Sequence, residues 1–152
     1  MVQIGKISPC LWFDGQAEAA ARFYVSVFKE ARILAVEEIS SGPAEGNAIV
    51  GFELEGLRFT ALDGGPMFEI TPAISFEVSC DSQEEIDYFW KELAEGGETQ
   101  MCGWLQDRFG VSWQVVPSEL AQLMAEAPQP VMEALLTMTK IDIGQLRAAA
   151  ES

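Results

Sequence analysis

Histidine is absent from the 152 residues. That removes the commonest general base and the commonest transition-metal ligand together. Basic residues are scarce too: 9 Lys and Arg stand against 24 Asp and Glu, a formal charge of −15. Nucleic-acid phosphates are held by clustered Lys and Arg, and anionic membranes by polybasic segments, so neither is an expected partner. The acidity reads as a solubility device. Cysteine occurs only as Cys10, Cys80 and Cys102. An odd number at wide spacing, with no CxxC pair, is not a disulfide framework, and reduced thiols are expected. No apolar run approaches the roughly 20 residues of a membrane span. Met1-Val2-Gln3-Ile4-Gly5-Lys6 has no signal-peptide design, so a cytoplasmic protein is expected.

What is present is a core-forming composition, 49% hydrophobic, in a length that suits a single domain over 1–152. The organising stretch runs from Asp107 to Pro117. It reads as a turn carrying Gly110, then a strand with Val111, Trp113 and Val115 on one face and Ser112, Gln114 and Val116 on the other. Gly56 to Asp63 has the same shape, with Leu57, Phe59 and Ala61 on one side. Two copies of one strand call for a search for a duplicated unit.

The duplication holds along the chain. Ile7 to Asp14 alternates as a strand, Gly15 breaks it, and Gln16 to Phe28 carries Ala17, Ala20, Tyr24, Val27 and Phe28 at helical spacing. Ala31 to Ile39 is a second strand and Ser41 to Asn47 a loop. Ala48 to Glu55 and Leu57 to Asp63 make a hairpin joined at Glu55-Gly56. After Asp63-Gly64-Gly65-Pro66, the segment Pro72 to Val78 repeats the opening strand: Pro72, Ile74 and Phe76 stand where Pro9, Leu11 and Phe13 stood. Ser82-Gln83-Glu84-Glu85 is a capping box, and Ile86, Phe89, Trp90 and Leu93 give its helix a buried stripe that ends at Gly96-Gly97. Short strands are expected over Glu98–Met101 and Gly103–Gln106, then the organising strand. The fold class is therefore α+β: two tandem βαβββ units, about 4–65 and about 71–117, and a helical tail over about 118–150. In that tail Ser118 is a candidate N-cap and Pro128-Gln129-Pro130 an interruption. Val131, Leu135 and Met138 share a face, and Asp142 caps a last helix. Met124, Met132 and Met138 read as core filler. The tail is expected to cover an apolar edge of the sheets or a neighbouring subunit.

Several motifs then carry a family likeness. They are Pro9 to Gly15, Phe23-Tyr24, Leu62 to Pro66, Thr71 to Phe76, Cys102-Gly103-Trp104-Leu105, Asp107 to Gln114, and the tail from Met132-Glu133-Ala134-Leu135-Leu136 to Lys140-Ile141-Asp142-Ile143. As a set, spanning nearly the whole chain, they resemble the vicinal oxygen chelate superfamily of glyoxalase I, extradiol dioxygenases and bleomycin-resistance proteins. The nearer likeness is to its PhnB-like branch, often labelled a demethylubiquinone methyltransferase domain. The resemblance implies curved mixed sheets around a cavity, usually in a homodimer. It implies metal positions on the cavity face of the first and last strand of each unit, which by strand face are Ser8, Thr60, Ala73 and Gln114. The superfamily uses His, Glu or Gln there. Only Gln114 fits, and a lone neutral amide does not hold a divalent ion against water, so no metal and no cofactor is expected. A methyltransferase of the common type needs a glycine-rich turn between a parallel strand and a helix, and Gly64-Gly65-Pro66 leads into no helix.

Alternation puts Ser8, Cys10, Trp12, Arg58, Thr60, Ala73, Ser75, Glu77, Ser112 and Gln114 on the cavity side, with Leu11, Phe13, Phe59, Phe76 and Trp113 under the helices. The expected ligand-binding residues are Ser8, Cys10, Trp12, Arg58, Thr60, Ser75, Trp104 and Gln114: an indole-lined pocket with hydroxyls and an amide suits a small molecule. Glu77, with Arg58 as counter-ion, is a candidate general base, its plainer reading being a surface charge near a sheet edge. Cys102 is a candidate nucleophile if Arg58 or Arg108 lowers its pKa; otherwise it and Cys10 are small packed residues. Cys80, ahead of a helix, is expected to be exposed. Asp107 is expected to fix the Gly110 turn through backbone amides, and Asp63 to do the same at Gly64-Gly65. The first functional reading is a homodimeric, metal-independent small-molecule binding protein. The alternatives are a cofactorless enzyme using cavity acid and base groups, the methyltransferase of the family label, or a structural partner with its cavity closed.

Overall fold

A computed structural model describes residues 5–152. The chain forms two compact units, one ending at Ile70 and the other starting at Thr71. Segment 66–70 thus belongs to the first unit and the helical tail to the second. The expected start of the first unit, at residue 4, lies outside the described residues.

The first unit runs β1 (Cys10–Phe13), α1 (Ala17–Val27), β2 (Ala31–Glu38), β3 (Ala48–Leu54) and β4 (Leu57–Asp63). Its open four-stranded sheet has the order β1-β4-β3-β2, with β1 parallel to β4 and the other pairs antiparallel. The β3–β4 hairpin turns on Glu55 and Gly56, both at positive φ (49° and 86°). A two-residue loop of that kind matches strand twist, and the second position suits glycine. Alternation then sends Val50, Phe52, Phe59 and Ala61 to the helix side, where all are nearly fully buried. Alanines at Ala17, Ala20 and Ala21 let α1 lie close, and Tyr24, Phe52 and Phe59 stack in sequence at 6.1 and 5.2 Å between ring centroids.

The second unit repeats the plan: β5 (Ser75–Cys80), α2 (Gln83–Ala94), β6 (Glu98–Thr99), β7 (Trp104–Gln106) and β8 (Ser112–Pro117), with a short 3-10 turn at Met101–Gly103. Its sheet order, β5-β8-β7-β6, mirrors the first, again with the first and last strands parallel. Ser82 caps α2 by accepting from the Glu85 amide (3.2 Å), as the capping box requires, but the Glu85 carboxylate reaches back to the Asp81 amide (3.3 Å) rather than to that of Ser82. Phe76, Val78, Trp113 and Val115 face the helix side. The tail supplies α3 (Leu120–Glu126), α4 (Pro128–Leu135) and α5 (Ile143–Glu151), the last capped by Asp142 on the Gln145 amide. It is stitched into this unit: the amides of Cys102 and Gly103 donate to the carbonyls of Met138 and Thr139, and the Gln83 amide group bonds Ile141 and Ile143.

Several sequence expectations need correction. Strand β1 starts at Cys10 rather than Ile7, because Pro9 has no N–H to extend the ladder. Strand β5 starts at Ser75 rather than Pro72: Thr71 to Ile74 is a turn, closed by Ile74 N–H to Thr71 O at 3.3 Å, with proline at its favoured second place. Ser118 does not cap α3; its amide donates to Cys80 O, and Glu119 precedes the helix. The Pro128-Gln129-Pro130 run opens α4 instead of interrupting it, since a first-turn proline gives up no helical bond. Cys80 is completely buried on the helix face of β5, not exposed. Of the three tail methionines Met138 is buried, while Met132 is exposed.

Candidate functional site

In each unit the sheet face away from the helix carries the polar side chains. On the first sheet, register builds three successive rows across the strands: Arg58 beside Glu53 and Arg32, then Cys10, Thr60 and Gly51, then Trp12, Leu62 and Ile49. Arg58, Thr60 and Trp12 are all half-buried. Trp12 is fixed twice: its Nε1–H donates to Gly65 O at 2.8 Å, and its ring meets Phe68 edge-on at 5.0 Å. The indole lies against Gly64 so closely that a Cβ there would clash with its ring carbons. Phe68 itself remains 60% exposed, which leaves an aromatic corner open.

Arg58 stands opposite Glu53 but does not pair with it. Glu53 is taken by Arg32, Oε2 to Nε at 3.1 Å. The Arg58 guanidinium lies beside Gly51 instead, where a Cβ would sit 3.5 Å from Nη2 and 4.0 Å from Nε. Its Nε is buried and has no partner among the described residues. Cys10, in the neighbouring row, is exposed as a residue, yet partial burial of its thiol pushes its pKa above the ordinary value. Ser8 lies ahead of β1 and is exposed.

On the second sheet the corresponding face holds Ser75 and Glu77 from β5, Ser112 and Gln114 from β8, and Trp104 from β7. The Gln114 side-chain amide donates to Ser75 Oγ at 2.9 Å. Gln114 is flanked in register by Glu77 and Trp104. Ser112 is fully buried, and its Oγ has no partner among the described residues. Glu77 is exposed and belongs to a different unit from Arg58. Ala73 sits in the turn before β5, its amide held by Thr71 Oγ1 at 3.1 Å. Cys102 adopts a left-handed conformation (φ 62°), half-buried, with Sγ 3.6 Å from Leu135 O. Arg108 lies over the Phe109 ring, 4.8 Å from its centroid.

The two turn aspartates divide. Asp107, 3% exposed, accepts from the Phe109 and Val111 amides at Oδ1 (2.8 and 3.1 Å) and from Trp113 Nε1 at Oδ2 (2.8 Å). It holds the Gly110 turn as its spacing predicts. Asp63 does something else. Its Oδ1 accepts the Ala17 amide at 2.8 Å and so satisfies the first turn of α1, where Gln16 offers no side-chain cap. The amides of Gly64 and Gly65 go to Phe13 O.

A depression of about 410 Å³ lies at the N-termini of α2 and α5. Apart from the Asp81 carboxylate, its polar side chains are already engaged: Ser82 with Glu85, Gln83 with Ile141 and Ile143, Asp142 with Gln145, and Arg147 with Glu119. It offers less to a ligand than the sheet faces do. The donors at the implied metal positions do not fit a divalent ion. Ala73 has none, Ser8 and Thr60 are neutral hydroxyls, and Gln114 offers a single neutral amide oxygen, its NH₂ donating to Ser75. No three His, Cys, Asp or Glu side chains are grouped to hold a metal among the described residues. No helix is long and apolar enough to cross a membrane among the same residues. Sequence alone does not point to Gly51 or Phe68, and it points to Gly64 only as part of the turn after β4. A lone glycine inside the β3 pattern was the available signal for the first.

Two α+β units with mixed four-stranded sheets define the glyoxalase-like class of fold, as in the vicinal oxygen chelate superfamily. The chain belongs to the family described as 3-demethylubiquinone-9 3-methyltransferase, which matches residues 5–116. The PhnB protein of Bacillus cereus, a structure bearing the same methyltransferase description, is 36% identical. The alignment covers 74% of this chain and 99% of that one, with a TM-score of 0.67. Protein PA1353 of Pseudomonas aeruginosa is 24% identical over 74% of this chain and 97% of its own, TM-score 0.64. The fosfomycin resistance protein FosX of Mesorhizobium loti shares the fold at 13% identity, over 81% of this chain and 98% of its own, TM-score 0.59. No curated protein matches the chain.

Proposed function

We propose that this protein binds a small amphipathic or aromatic molecule on the open sheet faces and does so without a resident metal, as a cytoplasmic homodimer. The observation that carries the reading is Trp12. A large indole is held on the solvent side of a sheet by Gly65 O and Phe68, and Gly64 makes room for its ring. An aromatic platform fixed from two directions but left half-open suits ligand stacking better than core filling. The second unit's face, taken by itself, presents hydroxyl, amide and indole groups from Ser75, Gln114 and Trp104, which also suit a small molecule.

Sequestration of this kind requires no catalyst. Methyl transfer is not part of the proposal, because neither mixed sheet has the doubly wound parallel arrangement that cradles a nucleotide-like cofactor. Native mass spectrometry of freshly purified protein, with elemental analysis, tests the reading. The expected result is a dimer carrying a small organic molecule that Trp12→Ala loses, with no stoichiometric divalent metal. A bound divalent ion that depends on Gln114 would refute it. A turnover abolished by Glu77→Gln, with ligand affinity kept, would replace it by the enzyme reading.

A further inference from the structure

The first sheet holds a cation whose neighbours leave it without a counter-ion. Arg58 makes no hydrogen bond or ion pair with any described residue, and its Nε is closed off from solvent. This is not for want of acids in a chain with 24 of them against 9 bases. Glu53 lies directly across from Arg58 in register but is bound to Arg32. The guanidinium is turned along the sheet toward Gly51, into the row of Cys10 and Thr60. The next row carries Trp12, two residues further along the strands, or about 7 Å. A guanidinium with a desolvated donor and no carboxylate is costly by itself. Docking an oxyanion on the Nη groups supplies the missing counter-charge, because their N–H donors fit carboxylate and sulfonate or phosphonate oxygens, while Nε stays closed off.

We propose that Arg58, turned toward Gly51 and beside Thr60, is an oxyanion subsite, so that the ligand is an anion with an aromatic body reaching Trp12. The anion accepts hydrogen bonds from the Nη groups, and the ring stacks in the Trp12–Phe68 corner. This rests on the small-molecule reading above and narrows it to one charge class. It also runs against the bulk field: at −15 the protein repels anions in general, so selective anion binding requires a local cation.

Two dyes that differ by one group separate the claims: 8-anilinonaphthalene-1-sulfonate, and N-phenyl-1-naphthylamine, which is the same body without the sulfonate. Fluorescence titration of the intact protein is expected to show both binding. Arg58→Gln and Arg58→Met are expected to weaken the sulfonate roughly 10- to 100-fold, the worth of a charge-assisted pair, and the neutral dye less than about twofold. A measurement on the unaltered protein guards against a variant that fails to fold. Phenylglyoxal modification of Arg58, located by peptide mass spectrometry, is expected to slow with the sulfonate dye and not with the neutral one. Equal loss of both dyes, or of neither, in the Arg58 variants overturns the oxyanion subsite while leaving small-molecule binding in place. Failure of the wild type to bind either dye overturns both.

Discussion

Replacing Asp107 tests how a single carboxylate holds the second unit's central turn. Three donors converge on it, the amides of Phe109 and Val111 and the indole N–H of Trp113, all within 3.1 Å. Val111 and Trp113 are 1% and 3% exposed, so water cannot replace the lost acceptor. A hydrogen bond to a charged group contributes about 1.5–3 kcal/mol, and a buried donor left unmatched costs about 1–3 kcal/mol. The three bonds share one anchor and do not add, so Asp107→Ala is expected to cost roughly 4 kcal/mol. That is a large part of the roughly 5–15 kcal/mol that holds a domain together. Asp107→Asn is expected to cost about half as much: its oxygen still serves the two amides, but its NH₂ then faces the Trp113 N–H. Urea unfolding followed by tryptophan emission and far-UV circular dichroism gives the comparison. With a slope near 2 kcal/mol per molar, the Ala variant's midpoint falls by about 2 M. An Ala variant within about 0.5 M of wild type, or an Asn variant as damaged as Ala, would refute this account of the turn.

Other substitutions probe the sheet faces. Gly64→Ala drives a methyl against the Trp12 indole; with that ring tied to Gly65 O, the overpacking is expected to cost about 1–3 kcal/mol in thermal unfolding and to shift Trp12 emission. Arg58→Met removes a buried unmatched donor while keeping the apolar stem, so the ligand-free variant is expected to be as stable as wild type or about 1 kcal/mol more so by calorimetry. Cys80 gives a pH test. Burial, then the charges of Glu85 and Asp81, push its thiol up from 9.0 to about 12. Its folded pKa lies above the unfolded one, so its share of stability is intact below about pH 9 and is lost as pH rises toward 12. Wild type should therefore lose stability faster than Cys80→Ala between pH 9 and 10, by up to about 1.4 kcal/mol per pH unit. Native Cys80 should also resist iodoacetamide at pH 8 until the protein unfolds.

Features set by neighbours in sequence were the legible ones. Asp107 and Gly110 sit three residues apart in one turn, Ser82 and Glu85 in one helical turn, and Glu55-Gly56 in one hairpin. Each could be read without knowing what else lay nearby. Strand starts are not legible where proline sits inside an alternating pattern: Pro9 and Pro72 keep the period of two but cannot donate to a ladder, and Pro72 turns the chain. Cys80 was readable in principle, since it shares the parity of Phe76 and Val78 and therefore their buried face. Asp63 was not. Its partner is the Ala17 amide, 46 residues away, and nothing local distinguishes a carboxylate that caps a distant helix from one that caps its own turn.

Gly51 and Gly64 explain why the candidate site was harder to read than the fold. The helix-facing residues of the two units obey one rule, apolar at every second position, and yield the same strand order twice. The opposite faces obey no shared rule and have diverged. Both hold an indole, but one sets it near a guanidinium and the other beside a serine-glutamine pair. In the first unit the two large side chains lie where glycine has removed a Cβ, one on Gly64 and one beside Gly51. What positions them is partly a missing group on another strand, which leaves no periodic signature. Such an arrangement also carries a cost that folding alone does not explain, as the unmatched Nε of Arg58 shows. Stability and binding should then respond in opposite directions at that residue. Arg58→Met is expected to preserve or raise the melting temperature of the free protein and to abolish the extra stabilisation that the sulfonate dye gives the wild type. If the variant melts lower than wild type and still gains as much from the dye, Arg58 is a structural residue and the cost has another explanation.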